Sequence, residues 1–163
     1  MNIIIGHLLD TQEESFTSTA KVLFSGLGAD EQLGGYGRHA ARFNTSGWSG
    51  LCEELQLDID RLPHRNLGRD DRVISDHGKE VRFPFLDERV LDFVSALPAH
   101  FKADLRLPRG LGDKFLLRWM LHSLHPGMAS VAVEPKRAIQ FGARTAKIEG
   151  NDKGDFLLTL TRS

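Results

Sequence analysis

The chain has 163 residues, and 21 Lys and Arg stand against 22 Asp and Glu, for a formal net charge of −1. Its 40% hydrophobic residues are typical of a folded domain and argue against disorder throughout. The balanced charge disfavours nucleic acid as a partner, and no run of about 20 apolar residues suits a membrane span. One cysteine, Cys52, excludes a disulfide framework, and the N-terminus lacks the pattern of a signal peptide. We therefore expect a soluble, cytoplasmic protein that contacts neither nucleic acid nor membrane.

The first part of the chain predicts one strand followed by a glycine-rich turn and a helix. Residues 1–20 carry no recognisable chemistry, whereas residues 21–24 form a short apolar run typical of a buried strand. Asp30 is predicted to cap a helix that runs from Glu31 to about residue 43. Glycines in the first turns of that helix indicate that another backbone or a ligand comes close; they are Gly34, Gly35 and Gly37.

The middle of the chain predicts further helices. Apolar residues at helical spacing over 48–62 indicate a helix with one buried face, on which Cys52 and Trp48 are expected to lie. A charged stretch over 69–79 is also predicted to be helical, and Pro84 interrupts it.

The C-terminal third predicts two capped helices. Asp87 is expected to cap a helix that ends at Pro98, and Asp113 to cap a helix over 114–124 with Trp119 facing inward. A last helical turn or two is expected within 142–148. One strand alone has no sheet to join, so either the apolar run at residues 3–9 pairs with it, or the rest of the sheet lies outside this chain. We favour the second alternative.

The turn at Ser25–Asp30 is the first candidate for chemistry. A strand, a glycine turn and a helix place backbone N–H groups where phosphate can bind. Neither the dinucleotide fingerprint, which needs glycine at position 31, nor the P-loop pattern is present. Adjacent carboxylates at Asp30 and Glu31 suit a site in which Mg²⁺ lies beside phosphate. A plain tight turn with Asp30 as helix cap fits the residues equally well.

Several motifs in register resemble the synthetase domain of asparagine synthetases. Residues 25–36 read Ser-Gly-Leu-Gly-Ala-Asp-Glu-Gln-Leu-Gly-Gly-Tyr, close to the family's Ser-Gly-Glu-Gly-Ala-Asp-Glu-x-x-Gly-Gly-Tyr. Residues 71–87 match its Asp-Arg…Gly-x-Glu-x-Arg-x-Pro-Phe-Leu-Asp block. Residues 114–118 resemble its Lys-x-x-Leu-Arg element, and Lys136 resembles a lysine that precedes a Phe-Gly turn, here at 141–142.

This resemblance implies a fold and a division of the chain. It implies an α/β fold of the adenine nucleotide α-hydrolase-like, ATP pyrophosphatase type, of which this chain holds a mainly helical C-terminal part. The partial synthetase domain is expected over 21–148, after a poorly defined segment at 1–20 and before a tail at 149–163.

The resemblance also implies an activity, an ATP-dependent amide ligase of asparagine biosynthesis. The side-chain carboxylate of aspartate is adenylated with ATP and Mg²⁺ to β-aspartyl-AMP, and ammonia from glutamine then displaces AMP. The implied partners are therefore small molecules: aspartate, ATP, and ammonia or glutamine.

Individual roles follow from the same resemblance. It places Ser25, Gly26, Gly28 and Asp30 at the nucleotide, with Asp30 as the Mg²⁺ ligand. It makes Lys136 and Glu80 catalytic, and Lys136 neutralises charge at the α-phosphate. A structural ion network is an alternative role for the charged residues of the second motif, which are Asp71, Arg72, Glu80, Arg82 and Asp87.

Four departures from the family pattern qualify this assignment. The ATP pyrophosphatase loop Ser-Gly-Gly-x-Asp-Ser is absent, and Asn2 stands where a glutaminase domain needs its cysteine nucleophile. Leu27 replaces a family glutamate associated with the ammonia step, and Lys136 lies five residues before Phe141. We therefore expect part of a longer ligase, with a catalytically degenerate scaffold or binding protein as the alternative.

Overall fold

A computed structural model describes residues 2–5 and 14–136 of the chain. Strands β1 (Asn2–Ile5) and β2 (Glu14–Thr17) pair with each other as an antiparallel hairpin, with Asn2 opposite Thr17. The N-terminal run therefore does not supply a partner for the strand after residue 21, and that alternative was wrong. The predicted Phe-Gly turn at 141–142, the helical turn or two within 142–148 and the tail at 149–163 lie outside the described residues.

The predicted strand pairs with a second strand that sequence analysis missed. Strand β3 (Val22–Phe24) lies parallel to β4 (Glu80–Arg82), with Leu23 opposite Val81. Val81 is buried, but Phe24 is 79% exposed, so β3 is less buried than its composition predicted. Parallel strands need a long crossover connection, and here that connection carries three helices.

The first helix of the crossover starts two residues earlier than predicted. Helix α1 (Ala29–Gln32) begins after Gly28, whose φ of 97° is left-handed, and Asp30 does not cap it. The N–H of Gly28 donates to Glu31 Oε2 at 3.1 Å, which satisfies a backbone group at the helix start. A Cβ at Gly28 would lie 2.5 Å from Leu86 Cδ2, so only glycine fits between the turn and the segment after β4.

Helix α2 (Gly37–Arg61) folds back on itself. Gly47, at φ 61° and ψ −151°, breaks it into two arms at 37–46 and 48–61. His39 and Asp58 are 19 residues apart, a separation that would be roughly 28 Å along a straight helix. Their side chains nevertheless meet at 2.8 Å, so the arms run antiparallel. The predicted helix over 48–62 is confirmed as the second arm, whereas the one predicted from Glu31 to residue 43 is interrupted after α1.

The buried contact between the arms fixes the charge state of His39. Its Nδ1 accepts the backbone N–H of Tyr36 at 3.3 Å, so Nε2 carries the proton and donates to Asp58 Oδ2. Arg38 donates to the same carboxylate oxygen at 2.5 Å. Burial lowers the pKa of His39 below its usual range, against the opposing effect of Asp58. The imidazole is therefore held in its neutral form.

Five further helices follow α2 in the described chain. Asp87 accepts the N–H of Arg89 at 3.0 Å and caps the helix that begins at Glu88, as predicted. Asp113 does not cap its helix, because Lys114 occupies the cap position. The helices are α3 (Asn66–Ser75), α4 (Glu88–Ala96), α5 (Ala99–Lys102), α6 (Phe115–Leu124) and α7 (Ala129–Ala132), with 3-10 turns at Leu62–His64, Pro84–Leu86 and Pro126–Met128. No helix of the described residues has the length and apolar character needed to span a membrane.

The core lies where α1, α2, α4 and α5 meet. Leu51 is fully buried there, but its neighbour Cys52 is exposed, so the prediction that Cys52 packs inward was wrong. Trp119 is 61% exposed and likewise does not face inward. The buried apolar side chains are those of Ala29, Leu33, Leu51, Leu55, Leu62, Val81, Val94, Ala103 and Ala132.

A substitution at Gly28 tests the close packing of the turn. We expect Gly28→Ala to lower the free energy of unfolding by more than about 1 kcal/mol, because an L-residue pays roughly 1–2 kcal/mol for the left-handed conformation. The added methyl also overlaps Leu86. Urea unfolding followed by circular dichroism measures the change. Gly26→Ala is the control, since a Cβ there meets nothing within 4 Å; equal losses for both variants would contradict the interpretation.

Acid should weaken the fold through His39. Its pKa is lower in the folded chain than the unfolded value of about 6.5, so below that pH the unfolded chain binds more protons. The free energy of unfolding should therefore fall as the pH drops from 7 to 5.5, by at most about 1.4 kcal/mol per pH unit for one proton. His39→Gln should flatten this slope in urea titrations, whereas the exposed His122→Gln should leave it unchanged.

Candidate functional site

The turn after β3 brings one carboxylate against two lysines from distant parts of the chain. Asp30 Oδ1 lies 3.1 Å from Lys114 Nζ, and Oδ2 lies 3.1 Å from Lys136 Nζ. About a fifth of each side chain is exposed. We call these three residues the carboxylate–lysine cluster. Its formal charge is +1, and it is open enough for a ligand to reach.

Asp30 is placed by a glycine that packs directly against it. The N–H of Gly35 donates to the Asp30 carbonyl at 2.9 Å, and a Cβ at Gly35 would overlap Asp30 Oδ1. A side chain at that position would therefore displace the carboxylate. Oδ1 itself is buried and, among the described residues, accepts no hydrogen bond of good geometry, although Lys114 is near. The ammonium group of Lys114 is therefore the charge that balances this buried oxygen.

Lys114 reaches the cluster through an unusual backbone conformation. It has φ 54° and ψ 36°, the left-handed region that residues other than glycine seldom adopt. Its N–H donates to the Leu33 carbonyl at 2.9 Å, which ties the start of α6 to the segment after α1. The preceding Asp113 is buried, which raises its pKa, but hydrogen bonds from Gly110 and Arg118 outweigh burial and hold the pKa below its usual range.

The segment that carries Lys136 is held by two arginines. Arg118 donates to Asp113 Oδ2 at 2.6 Å and, with its other nitrogen, to the Glu134 carbonyl at 2.9 Å. Arg109 donates to the carbonyl of Lys136 itself at 2.8 Å. Because guanidinium groups bind several acceptors in a fixed plane, these contacts fix the backbone from which Lys136 extends.

An aromatic ring lies beside the cluster. The Nζ of Lys136 is 4.1 Å from the centroid of Tyr36, and the guanidinium carbon of Arg38 is 4.0 Å from it. The Tyr36 hydroxyl donates to Glu31 Oε1 at 2.6 Å. Burial, and after it the Glu31 carboxylate, raise the pKa of Tyr36 well above its usual range. The phenol therefore stays protonated and acts as a donor.

The backbone N–H groups of the glycine turn donate hydrogen bonds within the turn and the first turn of α1. The N–H groups of residues 27–29 donate to Ser25 Oγ at 3.2 Å, Glu31 Oε2 at 3.1 Å and the Gly26 carbonyl at 3.2 Å. The prediction that this turn offers free N–H groups to phosphate was therefore wrong for these three. Ser25, Gly26 and Gly28 precede Asp30 in the same turn, and their contact with a nucleotide stays a prediction.

Glu80 lies apart from the cluster. It is opposite Val22 at the start of the β3–β4 pairing, whereas Asp30 follows the other end of β3. Its half-exposed carboxylate pairs with Arg82 at 2.7 Å, and no described hydrogen bond or ion pair joins it to Asp30. A catalytic role for Glu80 stays a prediction, and its position suits the ion-pair alternative.

The cluster suits phosphate with Mg²⁺ better than a bare metal ion. Within the described residues, no three His, Cys, Asp or Glu side chains gather at one point. Asp30 is the one carboxylate of the cluster, and Mg²⁺ is commonly bound by one or two carboxylates together with substrate phosphates. The ammonium groups of Lys114 and Lys136 oppose a lone cation but attract phosphate oxygens.

Sequence analysis missed part of this arrangement. Lys114 and Tyr36 were not selected as site residues, although both occupy motif positions: Lys114 begins the Lys-x-x-Leu-Arg element and Tyr36 ends the first motif. The motifs therefore held the signal that could have found them. Arg118, the arginine of the same element, gave no sign that it would hold the Lys136 segment.

Comparison with known proteins assigns the chain to a family. Residues 43–157 match the asparagine synthase family model. Asparagine synthetase domain-containing protein 1 of Mus musculus is 55% identical over 139 residues, which cover 85% of this chain, and its Homo sapiens counterpart is 55% identical over 136 residues, or 83%. Asparagine synthetase [glutamine-hydrolyzing] of Gallus gallus is 32% identical over 126 residues, or 77%.

These matches cover most of this chain but only 22%, 21% and 21% of the three relatives, so the chain spans about a fifth of their length. The family model in turn matches more than half of the chain and includes Lys114, Arg118 and Lys136. The chain belongs to the asparagine synthase family.

Proposed function

We propose that this chain forms part of an ATP-dependent carbon–nitrogen ligase of the glutamine-hydrolysing asparagine synthase type. The observation that supports this most directly is the carboxylate–lysine cluster, in which Asp30 lies between Lys114 and Lys136 beside the first family motif. Because the chain spans about a fifth of its relatives, the proposal concerns a protein that also contains the Ser-Gly-Gly-x-Asp-Ser loop.

The proposed reaction has two steps. An oxygen of the aspartate side chain attacks the α-phosphorus of ATP, the bond to pyrophosphate breaks, and β-aspartyl-AMP forms. Ammonia then attacks the acyl carbon, AMP leaves, and the amide of asparagine remains. In the first step negative charge grows on the α-phosphate and on the leaving pyrophosphate. Fixed cations aimed at that charge lower the barrier.

The lysines of the cluster are suited to this task because they are already in place. Lys136 extends from a backbone held by Arg109 and Arg118, and its ammonium lies over the Tyr36 ring. Little reorganisation is therefore needed when charge develops beside it. Lys114 supplies the second cation. Asp30 would give Mg²⁺ one carboxylate oxygen, and the bound ion would neutralise phosphate charge.

A second candidate function follows from Leu27. The family glutamate at this position is associated with the ammonia step, and a half-buried leucine cannot transfer a proton. The chain would then belong to a scaffold or binding protein that retains the fold without forming an amide. Asp30 and Lys136 argue for the ligase, so the two functions differ in whether adenylation occurs.

Removing Lys136 tests the ligase proposal. In a protein that joins this chain to the pyrophosphatase loop, we expect Lys136→Ala to slow aspartate-dependent pyrophosphate exchange by at least about 10²-fold, the usual effect of losing one fixed contact to developing charge. Lys21→Ala is the control, since Lys21 is exposed and outside the cluster. If the Lys136→Ala protein exchanges pyrophosphate at the normal rate, Lys136 has no role in adenylation.

A gain of function tests the role of position 27. We expect Leu27→Glu to leave pyrophosphate exchange unchanged and to raise the yield of amide, because adenylation and ammonia attack are separate steps. Exchange and asparagine are measured in the same reactions with ammonia as nitrogen source. If the unsubstituted protein exchanges pyrophosphate with no carboxylic acid tried, the scaffold function is the better explanation.

A further inference from the structure

The guanidinium of Arg118 binds two separate segments of backbone with its three nitrogens. Nε donates to the Asp113 carbonyl at 2.6 Å, and Nη2 donates to Asp113 Oδ2 at 2.6 Å. Nη1 donates to the carbonyls of Ala132 at 2.7 Å and Glu134 at 2.9 Å. One side chain therefore joins the residue before α6 to the segment after it.

These two segments carry the lysines of the carboxylate–lysine cluster. Lys114 follows Asp113 directly, and Lys136 is two residues beyond Glu134. The nitrogens of a guanidinium lie in one rigid plane, so they fix their acceptors relative to one another. The distance between the backbones of the two lysines is therefore set by a single planar group.

Arginine is required at this position for its shape as well as its charge. The side chains of Arg118 and Asp113 are only 11% and 8% exposed, and Asp113 Oδ1 also accepts the N–H of Gly110 at 2.6 Å. Charge-assisted hydrogen bonds shielded from water are strong and hold their geometry. A lysine has one nitrogen and no plane, so it cannot reproduce the contacts on both segments.

Arg118 acts on the cluster from outside. No described hydrogen bond or ion pair joins its guanidinium to Asp30, and the Asp113 carboxylate balances its charge. An effect of Arg118 on a ligand of the cluster would therefore pass through Lys114 and Lys136.

We propose that Arg118 is a positioning residue for adenylation, which holds Lys114 and Lys136 at the separation that the α-phosphate and the leaving pyrophosphate require. This inference rests on the proposed function and extends it to a residue outside the cluster. Stabilisation of developing charge depends on where a cation lies, and a displacement of about 1 Å can cost about 10²-fold in rate. Loss of the planar group should therefore slow the chemical step more than it weakens substrate binding.

Arg118→Lys tests this role because it keeps the charge and removes the planar group. In the longer protein we expect kcat for aspartate-dependent pyrophosphate exchange to fall about 10²-fold, while KM for aspartate keeps its value. Arg106→Lys is the matched control, since Arg106 also pairs with a carboxylate, that of Asp104 at 2.7 Å, but lies outside the cluster. A normal kcat for Arg118→Lys would overturn the proposal.

A double-mutant cycle separates positioning from a general effect on the fold. In a protein that already carries Lys136→Ala, Arg118→Lys should slow exchange by at most about tenfold, because only the contribution through Lys114 remains. Independent effects combine additively in free energy. Equal fold losses in the two backgrounds would therefore overturn the positioning role.

The positions of the lysines can also be followed in the full 163-residue chain, without any exchange assay. The chain is labelled with ¹³C-lysine, and the Cε–Hε signals are assigned with Lys114→Arg and Lys136→Arg. Lys136 Nζ lies 4.1 Å from the centroid of Tyr36, so the ring makes its signal sensitive to position. We expect Arg118→Lys to move both signals and Arg106→Lys to move neither; an unmoved Lys136 signal would contradict the proposal.

A second variant covers the case in which Arg118→Lys does not fold, as judged by circular dichroism. Asp113→Asn keeps the shape of that side chain and the guanidinium, but it removes the charge from one of their contacts. Exchange by Asp113→Asn as fast as by Arg106→Lys would then overturn the proposal. If the unsubstituted longer protein exchanges no pyrophosphate, the proposed function fails and the role in adenylation fails with it, whereas normal exchange by Arg118→Lys contradicts this inference alone.

Discussion

The carboxylate of Asp30 is the point on which the arrangement of the site depends. Its two oxygens each lie 3.1 Å from an ammonium group, one on Lys114 and one on Lys136. Without that carboxylate two like charges would face each other in a partly buried space, where screening by water is reduced. One side chain thus holds together the turn after β3, the start of α6 and the segment near residue 136. A ligand that binds the lysines must offer negative charge of its own.

The backbone around Asp30 is shaped so that both lysines reach its carboxylate. Gly28 adopts a left-handed φ against Leu86, Gly35 leaves no room for a side chain beside Asp30, and Lys114 is itself left-handed. Strained and glycine-only positions are maintained only where the surrounding structure compensates for them. Here they surround a single carboxylate. The same region carries the first family motif, so its glycines serve the position of Asp30 more than the contacts of a free phosphate loop.

Sequence analysis predicted the features that have local causes. The Asp87 cap and the helix over 48–62 follow from capping chemistry and helical spacing, and both are confirmed. Strand β4 was missed because its three residues are too few to establish the alternation of polar and apolar residues that predicts a strand. The fold-back at Gly47 was missed because one glycine among helix formers does not reveal a reversal. Cys52 was misplaced because that reversal decides which face of the second arm is covered.

Tyr36 joins the carboxylate–lysine cluster to a buried carboxylate on α1. Its ring contacts Lys136 and Arg38, and its hydroxyl donates to Glu31. Burial and the Glu31 carboxylate raise the pKa of Tyr36, so the phenol stays protonated and keeps that hydrogen bond. Glu31 in turn accepts the N–H of Gly28, the left-handed residue at the start of α1. The protonated phenol therefore ties the position of Lys136 to the same glycine turn that places Asp30.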